Sequence, residues 1–159
     1  MADLNAIRKV HIVLMDKTAA TLANILSKVD RETATTLRDG ADGWTVTEVV
    51  CHLRDWDEIF LERAQRILHE DRPTITPRDH ERMAVEGRYN EQDVHEALAQ
   101  LRESRRRLIA FFEALSSEDW LREGIHPEVG PFSLTRALMQ IGHHDVNHLE
   151  QITRILAQA

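Results

Sequence analysis

Residues Ser133 to Ile155 read S-L-T-R-A-L-M-Q-I-G-H-H-D-V-N-H-L-E-Q-I-T-R-I. Leu134, Ala137, Ile141, Ile152 and Ile155 recur at a helical period rather than a strand period. His144 and His148 fall in the gap of that stripe, four residues apart, so their rings lie one above the other on one helix face. A stripe that passes from isoleucine to two histidines and back requires either a shared divalent cation or two packed, hydrogen-bonded imidazoles. The spacing suits both. It matches the ligand pair of the H-x-x-x-H helix but places Asp145 where a zinc protease carries its general-base Glu.

Outward from this stretch the chain repeats the helical pattern three more times. Leu4, Ile7, His11, Leu14, Leu22, Ile25 and Val29 predict a first helix from Leu4 to Val29, capped by Asp3. Arg38 to Gly43 holds two glycines and reads as a turn. Thr45-Val46-Thr47-Glu48 is a capping box, with Trp44 and Val49 placed as a hydrophobic staple. The second helix so opened carries Val49, Leu53, Trp56, Phe60, Ala64 and Ile67 and runs to about Glu70, with His52 beside its stripe. From Asp71 to Asn90 the pattern fails around Pro73 and Pro77, apart from a helical turn at Arg78 to Glu86. A connection this long is either a rim over a site or a solvated wrap.

Asn90 is placed to cap a third helix, with Glu91 and Asp93 in its first turn. Its stripe is Val94, Leu98, Leu101, Leu108, Phe112 and Leu115, interrupted by Arg105. A short turn at Ser116 to Trp120 and the loop His126-Pro127-Glu128-Val129-Gly130-Pro131 lead to Ser133, which caps the last helix through Ala157. Four long amphipathic segments without a strand candidate predict an all-α four-helix bundle, read as one domain over residues 1–159.

Composition narrows the function. With 42% hydrophobic and 30% charged residues the chain has a soluble, foldable balance, and its net charge of −7 argues against a nucleic-acid partner. No apolar run reaches membrane-span length, and Met1-Ala2-Asp3-Leu4 lacks a signal-peptide pattern. A single cysteine, Cys51, excludes an internal disulfide and fits a cytoplasmic location.

A catalytic zinc commonly takes three protein ligands and keeps one position for water. His52, on the core side near the start of the second helix, is the best third ligand beside His144 and His148. The metal would then lie at one end of the bundle. His126 is close enough to the last helix to line the site or serve as a fourth ligand, though a turn role fits it better. His143 is rotated about 100° from His144 and faces away. His11 reads as a packed or interface residue, and His69, His80 and His95 as surface or loop residues. Arg105 reads as a buried ion-pair partner or an anchor for an anionic substrate. Asp145 reads as an orienting group for an imidazole or a salt-bridge partner, and Cys51 falls on the polar side of its helix.

Trp44-Thr45-Val46-Thr47-Glu48-Val49-Val50-Cys51-His52-Leu53, followed far downstream by His144-Asp145-Val146-Asn147-His148-Leu149-Glu150-Gln151-Ile152, resembles the DinB-like (YfiT-like) superfamily. The loop His126 to Gly130 with Ser133-Leu134 resembles one branch of it. The resemblance implies up-down-down-up helix order with a long crossover between the second and third helices. It implies a divalent metal, commonly zinc or nickel, on His52, His144 and His148, and homodimers are common among its members. Characterised relatives include thiol-dependent S-transferases and a maleylpyruvate isomerase that uses a low-molecular-weight thiol; others are named as metal-dependent hydrolases, and many members have no known activity.

Three readings of function compete on these grounds. One is a metal-dependent enzyme that acts on a small-molecule substrate by hydrolysis or thiol transfer. Another is a non-catalytic, metal-stabilised stress or binding protein, and a third is a plain helical dimer with a vestigial site, which metal content would separate from both. A free coordination position marks the first, and a closed one the second.

Overall fold

The computed structural model describes residues 3–159; the signal-peptide expectation on Met1 and Ala2 lies outside the described residues. Six α-helices and one hairpin follow in order: α1 (Leu4–Leu26), α2 (Arg31–Thr36), α3 (Val46–His69), α4 (His80–Glu86), α5 (Val94–Glu113), β1 (Glu123–His126), β2 (Gly130–Ser133) and α6 (Leu134–Leu156). Each helix starts where a short polar side chain takes up an otherwise orphaned amide. Asp3 accepts from the Asn5 and Ala6 amides, Ser133 from Arg136, and Asp79 from Arg82. The expected capping box is present at α3: Thr45 Oγ1 accepts from the Glu48 amide at 3.2 Å, and Glu48 accepts from the Thr45 amide at 2.8 Å.

α1, α3, α5 and α6 form the four-helix bundle, α3 and α1 each packing against both α5 and α6. Two apolar clusters set the helix directions. The first holds Leu22 and Leu26 from the end of α1, Val49 from the start of α3, Val94 from the start of α5, and Ile152 and Ile155 from the end of α6. The second holds Met15 from α1, Ile67 from the end of α3, Phe112 from the end of α5, and Leu134 from the start of α6. Helices α1 and α6 therefore run from the second cluster to the first, and α3 and α5 the other way, which is up-down-down-up. Each buried Leu or Ile in these clusters contributes about 1.5–3 kcal/mol.

Between the clusters lies a polar layer to which every bundle helix gives one residue: Thr18, Asp57, Arg105 and Asp145, all buried. Arg105 is therefore the buried ion-pair partner and not a substrate anchor. Its Nε donates to Asp57 Oδ2 at 2.8 Å, and its Nη2 to Asp57 Oδ1 and Asp145 Oδ1, each at 2.9 Å. Nη1 donates to Asp145 Oδ2 and, at 2.9 Å, to the Met15 carbonyl. Burial opposes the guanidinium charge, but the two carboxylates outweigh it and hold Arg105 more firmly protonated than usual. Asp145 is thus a salt-bridge partner.

The crossover from α3 to α5 carries α4 and a 3-10 turn, Tyr89–Glu91. Its start is pinned to β1, with the Ile75 amide donating to the Ile125 carbonyl and the Ile125 amide to the Pro73 carbonyl, both at 2.8 Å. Gly124 permits this approach, since a Cβ there would lie 2.7 Å from the Pro73 oxygen.

Several boundaries differ from the expectation. α1 ends at Leu26, because Asp30 starts the separate helix α2 by accepting from the Thr33 amide. Asp93, not Asn90, caps α5 by accepting from the His95 and Glu96 amides. Asn90 instead sits in the 3-10 turn and accepts from the Thr45 hydroxyl at 2.7 Å. The hairpin was not expected, since its strands are four residues each, contain Gly and Pro, and do not alternate. Along α1 the buried line is Met15, Thr18, Leu22 and Leu26, while Leu4 is exposed. The N-terminal half of α1 is apolar nearly all round, so periodicity does not select a face there and packing does.

Candidate functional site

His52 lies in the second turn of α3, and His144 and His148 lie midway along α6. The antiparallel packing of these helices brings the three expected imidazoles together, one nitrogen of each lying within 4.8 Å of the others. His52 Nε2 and His144 Nε2 are 3.0 Å apart. His52 is buried, and His144 and His148 are partly so.

Burial first, and then the neighbouring imidazoles, push the pKa of His52 down to about 2. Burial, with His148 and Arg105 adding to it, pushes His144 down to about 3. His148 is lowered by burial as well. All three rings are therefore neutral at pH 7, the state a metal ligand requires.

The tautomer of His148 follows from its neighbours. Gln151 Nε2 donates to Asp39 Oδ2 at 3.1 Å, and a carboxylate only accepts. Gln151 therefore turns its oxygen to His148, whose Nδ1 lies 2.7 Å away and must carry the proton. That leaves the Nε2 lone pair free. Arg154 anchors the chain of contacts by donating to both oxygens of Asp39, at 3.0 and 2.9 Å, and holds that carboxyl below its usual pKa. Such outer contacts fix the orientation and basicity of a ligand imidazole. The Nδ1 of His144 is buried without a partner. In the bare chain one of the facing Nε2 atoms of His52 and His144 must give the other its proton, whereas a shared cation would satisfy both lone pairs. The donor set thus fits a divalent metal.

The triad forms the floor of an open cleft of about 450 Å³, within the size range of small-molecule sites. Trp44 and Trp56 form walls, with ring centroids 4.9 Å from His52 and 5.6 Å from His144, respectively. Gly43 shapes the turn that delivers Trp44, because a Cβ there would collide with the Asp39 carbonyl at 1.9 Å. Asp42, His80 and Glu81 stand at the cleft as well.

The remaining expectations divide. His126 lies in a different cleft with His11 and His143, between the hairpin and α6, so it is not a fourth ligand. Its Nδ1 accepts from the Glu128 amide at 3.2 Å, the turn role that fitted it better. His143 faces away from the triad, as its rotation required. Cys51 is not on a polar face: the crossover covers it, its sulfur lies 3.5 Å from Gln92 Oε1, and burial pushes its pKa up to about 11. His80, expected at the surface, is exposed but stands beside the cleft, its ring 6.1 Å from His52. The reading of residues also missed Gln151 and Asp39. Gln151 stands three residues after His148 on the same face, which is a signal, whereas Asp39 arrives through a turn remote in sequence.

A family model of the DinB superfamily matches residues 14–152. An Oceanobacillus iheyensis protein provisionally named a metal-dependent hydrolase is 30% identical over 121 residues, 76% of this chain and 69% of its own. YfiT of Bacillus subtilis, provisionally named in the same way, is 30% identical over 129 residues, 79% of this chain and 71% of its own. The solved structure of YfiT, described as a probable metal-dependent hydrolase with an unusual four-helix bundle topology, superposes with a TM-score of 0.87 at 25% identity over 95% of this chain and 86% of that one. The mycothiol-dependent maleylpyruvate isomerase shares the fold, with a TM-score of 0.76 at 14% identity over 96% of this chain and 63% of its own. By sequence and by fold, the chain belongs to the DinB superfamily.

Proposed function

We propose that His52, His144 and His148 bind one divalent cation, zinc or nickel, and that the protein is a metal-dependent enzyme acting on a small molecule by hydrolysis or thiol transfer. The observation that carries this reading is the convergence of three neutral imidazoles, and no fourth ligating side chain among the described residues, at the floor of an open cleft. When bound, the cation supplies Lewis acidity, which acidifies a water or thiol and polarises a substrate carbonyl. The chain's own residues set the conditions. Gln151 keeps His148 in the ligating tautomer, and Trp44 and Trp56 wall the floor with apolar surface. The provisional names of the relatives support hydrolysis. Thiol transfer would use the same open position.

The test is metal analysis of untagged protein beside His148→Ala, followed by assays of the loaded protein against esters, amides and electrophiles, with and without thiols. About one equivalent of metal in the native protein and little in the variant is expected. Equal content in both would overturn the ligand assignment. Turnover of neither substrate class by fully loaded protein would replace the enzyme with a metal-stabilised stress or binding protein.

A further inference from the structure

The charge around the triad is one-sided. Apart from the imidazoles, the ionisable side chains lining the cleft among the described residues are two carboxylates, Asp42 and Glu81, with no Lys or Arg. Arg105, whose charge acts on His144, is committed to Asp57 and Asp145, and other guanidiniums on the surrounding elements are engaged as well. Arg154 pairs with Asp39 and Arg38 with Glu48, while Arg63 lies against Trp56 at 5.1 Å and donates to the Thr76 carbonyl at 2.9 Å. Glu81 is unpaired by any of them. Its carboxylate accepts from the Trp44 indole at 3.2 Å and lies 3.6 Å from His80 Nε2. Asp42 makes no hydrogen bond or ion pair among the described residues. Trp44 therefore stands between His52, with ring centroids 4.9 Å apart, and a carboxylate that no Lys or Arg among the described residues pairs.

An indole next to carboxylates that no Lys or Arg neutralises favours a cation and disfavours an anion, the first through the ring quadrupole and the second through the charge. A divalent cation on three neutral imidazoles would carry a formal charge that two carboxylates offset. The field across the cleft would then be polarised, positive at the floor and negative at the rim. We infer that the site takes small molecules with two unlike ends: a soft or carbonyl donor that reaches the triad, and an amino or other cationic group that rests against Trp44, Glu81 and Asp42. The same rim disfavours dicarboxylates. This inference deepens the metal-enzyme reading and rests on it.

The test uses the full-length cobalt(II)-loaded protein and three thiols of nearly equal size: cysteamine, 2-mercaptoethanol and 3-mercaptopropionate. Binding is read from the thiolate-to-cobalt charge-transfer absorption at low salt, in the native protein and in the double variant Asp42→Asn, Glu81→Gln. The quantity of interest is the affinity spread across the three thiols in one protein divided by that in the other, which cancels the thiols' own acidities. The native protein should favour cysteamine over 3-mercaptopropionate by roughly ten-fold more than the double variant does. An unchanged spread, or a native preference for the anionic thiol, would overturn the inference while leaving the metal site intact. Cobalt uptake without a charge-transfer band for any thiol would remove the open position, and this inference with it. Failure to take up cobalt would remove the metal site itself, and both readings would fall.

Discussion

Replacing Arg105 with Met tests whether the polar layer is a coupled unit. Arg105 is 3% exposed and holds Asp57 and Asp145, themselves 2% and 3% exposed, through paired hydrogen bonds. Removing one partner of a buried pair leaves uncompensated charge and costs about 3–5 kcal/mol, against a typical native stability of about 5–15 kcal/mol. For a chain of this size that predicts a fall in Tm of about 6–20 °C. The deficit must also depend on pH. Burial already pushes the Asp57 carboxyl up to about 6 against the opposing pull of Arg105. Without Arg105 its folded pKa rises further, while the unfolded value stays near the ordinary 3.8. The folded variant then binds the Asp57 proton at a higher pH than the native protein does, so the deficit shrinks as pH falls from the variant's raised pKa to about 6 and is level below that, where the native protein takes up the same proton. Urea titrations at pH 7.5 and 5 measure both effects. The triple replacement Arg105→Met, Asp57→Leu, Asp145→Leu, which removes all charge, should recover most of the loss. A single-variant deficit below about 1 kcal/mol, or one equal at both pH values, would refute the coupling.

Three further outcomes follow from the site. Gln151→Leu should weaken metal binding by about 10–100-fold in a competitive chelator titration while the urea midpoint stays close to native; unchanged affinity would release Gln151 from its orienting role. His126→Ala and His143→Ala should leave metal content unaltered by elemental analysis, and loss of metal in either would contradict the separation of the two clefts. Cys51 should resist iodoacetamide in the folded protein at pH 8, since burial lifts its thiol to about 11, and should react once urea exposes it. Rapid labelling of the folded chain, followed by mass spectrometry, would show that the crossover does not cover it.

Local rules read from the sequence alone determined the four long helices, the capping box at Thr45 and Glu48, and the shared face of His144 and His148. Each depends on residues within about one helical turn of one another. Those rules also marked Arg105 as a polar interruption of one apolar stripe and His52 as a neighbour of another, though not what each would meet. Tertiary structure decided the meetings. The alignment of Thr18, Asp57, Arg105 and Asp145 in one layer depends on the relative slide of four helices, which no single stripe encodes. Cys51 changed from a polar-face residue to a buried one because residues some 40 positions later fold over it. Asp39 reached Gln151 across more than 100 residues, and His80 and Glu81 reached the triad from a crossover without a hydrophobic period. A helix face is set by a repeat of 3.6 residues, but the partner of that face is set by how the faces close on one another, and that closure belongs to the whole chain.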